Sequence, residues 1–535
     1  MRFLAALAFA FLLSGVAPEA RAQIGAGHWR PEDRVLVTDF GFVTALARSS
    51  DRLFAATSGG MLVNRDVFRR WEPPLTREDG WPDVEVTAMA YDRLDRMLWL
   101  AVLDGRLLAL DPDSYRWMDE VRLGRQDDMI VPDESGSGGL LLRTAGGWLH
   151  LDTFTGEVRT ASSAEANEMI ERNPALRARR ELLASPGFQS VQAFVGTGPD
   201  GRAWPITDVM PTDDPARFWI ASAGGGLSLL DSFSFDWRPV GVGLFGLGAS
   251  ALAIDGTDVW IAPGEPILGR YGITRVSDDL EGWEVAAARS MSGVPDFGVR
   301  VLLVHEGAVW AAGARGLQRR DPSGSWSPVA PSAYDRGDML IALAFGEPVS
   351  EGDATLWIGG ERGLDRLSPR GAGPERVMSG AVVAGILPVT GGVWAATSRG
   401  LVFVDTAGTV APAADVPAFP ATAVAGDGEF AWAGIDRDVW QRDPLSGWRR
   451  LDELGAMSSP VTALAVADGI LWVGTVDELV AWEISGGPVR RYTFAAGDLP
   501  LGPYGERGIA AIAPVSPTRV WIATPAGALR IDSPF

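Results

Sequence analysis

The chain has 535 residues, 47% of them apolar, enough for two or three average domains or one large repeat assembly. It has no cysteine, no lysine and no run of eighteen apolar residues, which excludes disulfide frameworks, cysteine–metal sites, lysine Schiff bases and multi-pass membrane proteins. The formal net charge of −21 opposes phosphate backbones, so we expect no nucleic-acid partner.

The first 22 residues have the pattern of a secretory signal peptide. Met1-Arg2 is a short positive start, Phe3 to Val16 are nearly all apolar, and Ala20-Arg21-Ala22 has the small-x-small pattern of a cleavage site. We predict that residues 1–22 are removed; the alternatives are a leader retained as a membrane anchor and a buried N-terminal helix. Export without cysteine predicts a periplasmic or other extracytoplasmic location. The composition, rich in Ala, Gly and Arg, suggests a GC-rich bacterium.

A short repeat fills most of the remaining chain. Its clearest copy has an apolar strand at 461–466, a turn at 467–469 and a Trp-led strand at 471–475. Alternating apolar residues and Gly-rich turns favour strands over helices. The aromatic marks of the copies are Phe54, Trp99, Trp219, Trp260, Trp310, Trp357, Trp394, Trp432, Trp472 and Trp521, with a degenerate copy at 140–151. From Trp219 onward the marks lie 37 to 50 residues apart, the length of a four-stranded sheet with short turns.

Such sheets cannot bury both faces alone, so they must stack, and the two candidate architectures are a β-propeller and a solenoid. The last copy, ending at Phe535, lacks an outer strand, and the segment around His28-Trp29-Arg30 is unassigned. A terminal strand exchanged onto the last blade would close a ring, which favours the propeller. About eleven units exceed a single ring of four to eight blades. We therefore predict two rings, over 23–245 and 246–535, with a single oversized ring as the alternative.

Several segments resemble the repeat of two-component-regulator-type propellers. The first half of the repeat is matched by 75–82, by Val86-Thr87-Ala88-Met89 and by Leu98-Trp99, and the second half by 358–364 and 396–401. The resemblance implies a propeller fold; in that family the propellers form the extracytoplasmic sensors of hybrid histidine kinases. Because no immunoglobulin-like domain, membrane helix or kinase follows the last repeat in this sequence, we do not expect a sensor-kinase role.

The main interruption of the repeat, residues 161–206, is predicted to be a helical insertion. Ser162-Ser163-Ala164-Glu165 has the pattern of a capping box, and 168–183 favours helix apart from Pro174. The simpler interpretation is a solvated cap over one rim. The functional interpretation is a basic docking element for an acidic partner or anionic lipid head groups, whose candidate binding residues are Arg172, Arg177, Arg179 and Arg180.

A second unusual segment is the apolar, Gly-rich stretch 241–248 between two repeats. It has two interpretations, a linker between rings tucked into the core or an exposed apolar contact loop. The candidate binding residues of the contact loop are Leu244, Phe245 and Leu247.

Sequence motifs for catalysis are scarce. His28, His150 and His305 lack metal-ligand spacing, and no Gly-x-Ser-x-Gly elbow occurs, although a triad assembled across blades would leave no such signal. Paired acids such as Asp213-Asp214 fit solvated turns better than calcium or glycosidase sites. We therefore predict no catalytic residues, no metal and no cofactor.

The function predicted from these observations is that of an exported, non-catalytic propeller. It would act as a protein–protein interaction or scaffold module, an accessory subunit on the periplasmic face of a membrane complex, with membrane contact through a retained leader. The alternative is a ligand sensor or carbohydrate-active enzyme with a site at the mouth of the propeller channel.

Overall fold

The structure is a computed structural model that describes residues 33–65, 70–123, 127–133, 139–185, 188, 195–287, 298–334, 338–346, 354–368 and 373–533. The predicted signal peptide, residues 1–22, and the segment His28-Trp29-Arg30 lie outside these ranges. The described residues form eleven antiparallel sheets, which confirms the predicted β-propeller, and we number them blades 1 to 11 in chain order.

The first four blades contain the strands between residues 43 and 240. Blade 1 consists of β2 (Val43–Arg48), β3 (Arg52–Thr57), β4 (Gly60–Arg65) and β5 (Arg70–Trp71). Blade 2 consists of β6 (Val86–Asp92), β7 (Met97–Val102), β8 (Arg106–Asp111) and β9 (Arg116–Arg122). Blade 3 consists of β10 (Asp127–Pro132), β11 (Leu140–Thr144), β12 (Gly147–Leu151) and β13 (Val158–Ala161). Blade 4 has five strands, β14 (Val195–Thr197), β15 (Ala203–Pro211), β16 (Arg217–Ser222), β17 (Gly226–Asp231) and β18 (Trp237–Val240).

Blades 5 to 8 continue the same order. Blade 5 consists of β19 (Ala251–Asp255), β20 (Asp258–Ala262), β21 (Gly272–Val276) and β22 (Trp283–Ala287). Blade 6 consists of β23 (Val299–His305), β24 (Ala308–Gly313), β25 (Gly316–Arg320) and β26 (Trp326–Val329). Blade 7 consists of β27 (Leu340–Gly346), β28 (Thr355–Gly360), β29 (Gly363–Leu367) and β30 (Glu375–Ser379). Blade 8 consists of β31 (Val383–Val389), β32 (Gly392–Thr397), β33 (Gly400–Asp405) and β34 (Val410–Pro412).

The last three blades complete the set. Blade 9 consists of β35 (Ala421–Gly426), β36 (Ala431–Ile435), β37 (Asp438–Asp443) and β38 (Gly447–Arg450). Blade 10 consists of β39 (Val461–Ala467), β40 (Ile470–Thr475), β41 (Glu478–Glu483) and β42 (Val489–Thr493). Blade 11 consists of β43 (Ala511–Ser516), β44 (Arg519–Thr524), β45 (Gly527–Asp532) and the N-terminal strand β1 (Arg34–Val37). The described α-helices are α1 (Ser163–Arg172), α2 (Pro174–Ala184) and the short α3 (Pro331–Tyr334).

Each blade is held by the same local features. The recurrent Trp lies on the second strand and is fully buried in blades 5, 7, 9, 10 and 11. Turns that begin with Asp join the third and fourth strands of several blades; in blade 9, for example, the Asp443 carboxylate accepts the N–H groups of Leu445 and Ser446. The repeat therefore encodes one meander, and the cores lie between neighbouring blades rather than within them.

Blades 5 to 11 form a closed ring of seven. Their innermost strands pack in chain order, and β43 of the last blade packs on β19 of the first. The ring is closed by β1, which pairs antiparallel with β45 as the outermost strand of blade 11. The exchanged strand among the described residues is Arg34–Val37, and the segment around Trp29 lies outside them. Gly527 permits the close approach: its φ is 146°, and a Cβ there would lie 2.2 Å from the Val37 carbonyl oxygen.

Blades 1 to 4 form another ring, which comes first along the chain and which the helices complete; we call it the first ring. The strand β2 packs on β6, β6 packs on β10, and β15 of blade 4 packs on β2. The Thr207 hydroxyl donates to the Val43 carbonyl at 2.7 Å, the same bond that Thr422 makes to Val461 between blades 9 and 10. Between blades 3 and 4, α1 packs on β10 and α2 packs on β15. The helical pair therefore occupies the place of a fifth blade.

Each helix of the pair begins at a residue whose side chain caps it. The Ser162 hydroxyl caps α1 by accepting the Glu165 N–H, as predicted. Asn173 ends α1 and caps α2 by accepting the Leu176 N–H at 3.0 Å, and Pro174 is the first residue of α2. Met169 is buried against blade 3 and Leu182 against blade 4, so the pair joins the two blades through apolar contacts.

The two rings meet at a buried ion pair. The chain crosses from β1 into the first ring through residues 38–42 and returns through residues 241–248, and the crossings lie side by side, with the Leu244 N–H donating to the Thr38 carbonyl. Arg270 of blade 5 forms a bidentate ion pair with Asp39, and both side chains are buried. The Arg270 guanidinium also lies 4.3 Å from the ring centre of Phe245.

Candidate functional site

The channel of the first ring encloses a cavity of about 820 Å³. Its walls are the innermost strands β2, β6, β10 and β15 and, on the side between blades 3 and 4, the helix α2. Because α2 stands where a fifth blade would, one wall is helical and carries long side chains into the channel. The volume falls in the range of small-molecule sites.

Asp208 joins three walls of the cavity. It follows a β-bulge in β15, and its Oδ2 accepts the Leu46 N–H of β2 at 2.8 Å. Its Oδ1 lies 2.7 Å from Nη1 of Arg179 on α2 and accepts the Val209 N–H. Burial raises the pKa of the Asp208 carboxyl, and Arg179 and the two N–H groups oppose that rise. Asp208 therefore fixes the position of α2 against the ring.

Charge in the cavity differs in sign from charge on the whole protein. Four arginines line it against three acids, although the chain carries a net charge of −21. Arg48, at the end of β2, forms an ion pair with Asp213 in the turn after β15. The complete charged lining is Arg48, Arg93, Arg143, Arg179, Glu181, Asp208 and Asp213.

The cavity reaches one face of the ring, which we call the turn face. In an antiparallel meander, the turn between the first and second strands and the turn between the third and fourth lie at the same end of the blade. The lining residues Arg93, Asp213 and Ser232 belong to turns of this kind. The turn face is thus the side at which those three residues surround the cavity.

The turn face also carries strongly exposed apolar side chains. Phe154 in blade 3 is 95% exposed, Phe233 in blade 4 is 85% exposed and Leu94 in blade 2 is 54% exposed. The turns that bear Leu94 and Phe154 touch each other, because the Thr153 hydroxyl donates to Asp95 at 2.5 Å.

The turns that present the two phenylalanines are rigid. The Asp152 carboxylate accepts the N–H groups of Phe154 and Thr155, and Asp231 accepts those of Phe233 and Ser234. These backbone N–H groups hold the pKa of both carboxyls below the ordinary value of Asp. The aspartates therefore hold the backbone of the two turns on which the phenylalanine side chains are exposed.

Three of the four arginines of the predicted basic island form ion pairs with acids. Arg172 pairs with Glu168, Arg180 with Glu171, and Arg179 turns inward to Asp208. Arg177 is exposed and, after Arg180, helps lower the pKa of Glu171. Residues 163–184 contain four Glu and four Arg, so the helical pair carries no net charge, and a docking role of its arginines stays a prediction.

The burial of residues 244 and 245 contradicts the interpretation of 241–248 as an exposed apolar contact loop. Leu244 and Phe245 are 1% and 3% exposed, and Leu247 is half-buried and pairs with Glu265 by a backbone bridge. The stretch lies against blade 5 because Leu244 packs in the core shared by blades 5 and 11 and Phe245 covers Arg270. It is the linker between the rings, and these three residues do not form a binding surface.

The residues of the site that the sequence analysis missed are Asp208, Arg48, Phe154 and Phe233. A signal for Asp208 exists, since a charged residue within an innermost strand departs from the small apolar pattern of the repeat. A signal for the phenylalanines also exists in the sequence. Phe154 and Phe233 are each the second residue after the Asp that begins the turn. Polar residues hold that position in two other blades, Asp113 in blade 2 and Ser323 in blade 6.

Within the part of the chain that the structure describes, no three His, Asp or Glu side chains are grouped so as to hold a metal ion. Over the same residues, no helix combines the length and the apolar character that crossing a bilayer requires.

Comparison with known proteins shows the fold. No protein-family profile matches the chain. No curated protein matches it. Among solved structures, PorZ, a surface component of the type-IX secretion system of Porphyromonas gingivalis, is similar with a TM-score of 0.52 at 12% identity, over 94% of this chain and 87% of that chain. The extracellular domain of the hybrid two component system BT3049 from B. thetaiotaomicron is similar with a TM-score of 0.44 at 12% identity, over 93% and 82%.

At 12% identity the similarity to PorZ shows a shared fold.

Proposed function

We propose that the protein is an exported, non-catalytic propeller that acts as a protein-interaction module in a complex on the extracytoplasmic face of a membrane. The observation that carries the proposal is the exposure of Phe154 and Phe233 on rigid turns of the turn face. Aromatic side chains are enriched at the centres of protein interfaces, and burying each removes a large apolar area from water.

Three further observations support this assignment. The leader-like residues 1–22 and the absence of cysteine favour an exported protein. The arginine-mediated contacts between the rings favour a rigid body suited to scaffolding: Arg202 donates to the carbonyls of Leu268 and Gly269, and Arg70 pairs with Glu281. PorZ, described as a surface component of a secretion system, is a precedent for this fold in such a complex.

The test is co-purification of the tagged full chain from detergent-solubilised membranes of its own bacterium, with mass spectrometry of the recovered proteins. We expect a stoichiometric partner with the native chain and at least about a tenfold lower recovery with the double variant F154S/F233S. Leu445→Ser is the matched control, since Leu445 is 99% exposed on the equivalent turn of blade 9 in the other ring. A native chain that runs alone, or a double variant that keeps its partner, contradicts the proposal.

A second candidate function, a sensor of a small ligand, is favoured by the cavity in the channel of the first ring. It differs from the first in the part of the molecule that it uses, since the ligand would enter the channel while a protein partner would cover the turn face.

A further inference from the structure

We infer that the channel of the first ring binds an organic anion with an apolar body, such as a medium-chain carboxylate. The ligand site is separate from Phe154 and Phe233, so it can fail while the proposed protein interaction holds, and the reverse. The cavity of about 820 Å³ is large enough for a chain of several carbon atoms together with a head group.

The sign of the head group follows from the arginines. Arg179 projects from α2 at the level of Asp208, and Arg48 lies nearer the turn face, so positive groups stand at two levels of the channel. A guanidinium carries five N–H donors, more than the single Oδ1 of Asp208 can accept. A ligand carboxylate would accept further donors of Arg179 in a site where the paired acid already holds the guanidinium in place.

Two of the three acids in the lining, Asp208 and Asp213, are already engaged, and the third, Glu181, is exposed on α2. Both oxygens of Asp208 already accept backbone N–H groups, from Leu46 and Val209, in addition to the contact with Arg179. Asp213 is engaged by Arg48. At Asp208 and Asp213 a cationic ligand would therefore have to displace donors of the protein itself, whereas an anion would add acceptors to arginines.

The apolar body of the ligand is indicated by the rest of the wall. Met129 of β10, Leu176 of α2 and Met210 of β15 line the cavity and are half-buried. Unbranched Met side chains adapt to the shape of an apolar ligand. Burying an alkyl chain against them removes its apolar surface from water and so favours binding.

The experiment is isothermal titration of the full chain with three probes: octanoate, octyltrimethylammonium and acetate. We expect octanoate to bind with one site per chain, octyltrimethylammonium to bind at least about tenfold more weakly, and acetate to give no measurable heat, because charge and alkyl chain are both needed. Octanoate without saturation, or equal affinity for the two octyl probes, overturns the inference.

Two variants test whether octanoate binds in the channel of the first ring. Arg179→Gln should weaken octanoate at least about tenfold, and Arg177→Gln, on the same helix but exposed and outside the lining, should leave the affinity unchanged. Because Arg179→Gln removes the partner of Asp208, Ala175→Trp serves as a second variant that fills the channel from α2 and should abolish binding while the thermal midpoint is kept. Full octanoate affinity in Ala175→Trp, or equal losses in the two arginine variants, contradicts a site in the channel.

Discussion

Arg270 and Asp39 form a bidentate ion pair, with Nη1–Oδ2 at 2.7 Å and Nη2–Oδ1 at 3.0 Å, and both side chains are buried where the rings meet. The Gly41 N–H donates to the same carboxylate, and a Cβ on Gly41 would lie 1.8 Å from Nη2 of Arg270. The pair therefore ties blade 5 to the segment that leads from β1 into the first ring.

Removing one partner of this pair should be strongly destabilising. Arg270→Ala leaves Asp39 buried without its counter-charge, and we expect a loss of about 3–5 kcal/mol, read as a lower midpoint of the first thermal transition. Arg275→Ala is the control, because Arg275 pairs with Asp258 at a site where both side chains are partly exposed, and its loss should stay below about 1 kcal/mol. Equal midpoints for the two variants would falsify a locking role of Arg270.

Gly527→Ala should weaken the pairing of β1 with β45, which closes the ring of blades 5 to 11. The added Cβ would meet the Val37 carbonyl at 2.2 Å at a φ of 146°, so β1 must move away from β45. We expect faster amide exchange at Val35 and Val37 and earlier proteolysis before residue 38. Gly428→Ala shares a positive φ, 95°, but has no atom within 4 Å, and it should leave exchange in β1 unchanged.

The helical pair should stabilise the first ring through Leu182. This side chain is 4% exposed among residues of α2 and blade 4, and Leu182→Ala should cost about 2–5 kcal/mol. Hydrogen exchange should rise in α2 and blade 4 and stay low in blades 6 to 10. Leu445→Ala, at a fully exposed position, should change stability by no more than about 0.5 kcal/mol. Uniform acceleration across both rings would argue against a local role.

Glu478 should make the stability of the folded protein decrease as the pH becomes acidic. Burial would raise its pKa, but the N–H and hydroxyl of Ser458 and the Arg491 guanidinium outweigh burial and hold the pKa below its ordinary value of 4.5. A carboxyl with a lowered folded pKa adds stability above its unfolded pKa and loses it as pH falls through the folded pKa.

Glu478→Gln should therefore lower the thermal midpoint at pH 7, by an amount equivalent to about 1–3 kcal/mol. The difference from the native chain should shrink steadily below about pH 4.5. Glu429→Gln, in an exposed turn of blade 9, is the control. A difference that is constant from pH 7 down to pH 3 would show that the charge of Glu478 is not the cause.

The sequence predicted the blades because each is a local meander. The Trp472 strand, its turns and its partners lie within about one repeat length, so the pattern alone specifies them. The sequence predicted that an N-terminal strand would pair with the last blade, but it did not predict which residues form that strand. Arg34–Val37 is a short strand, and its register depends on a partner at the far end of the chain.

The candidate site was less predictable because it depends on contacts between distant segments. Arg179 was singled out as part of a basic island, but its inward direction is set by Asp208, and that acid by the Leu46 N–H of another blade. Likewise, the sequence left Phe245 with two interpretations, and the guanidinium of Arg270 decides between them.

The exchange of β1 has a consequence for synthesis. The strand that leaves the ribosome among the first completes the sheet that is made last, and the whole of the first ring lies between the two in the chain. The four-bladed ring can assemble as soon as its own segments exist, whereas the seven-bladed ring waits for the final residues. A truncated chain that lacks β45 would leave β1 without its partner strand, so the ring of blades 5 to 11 would not close.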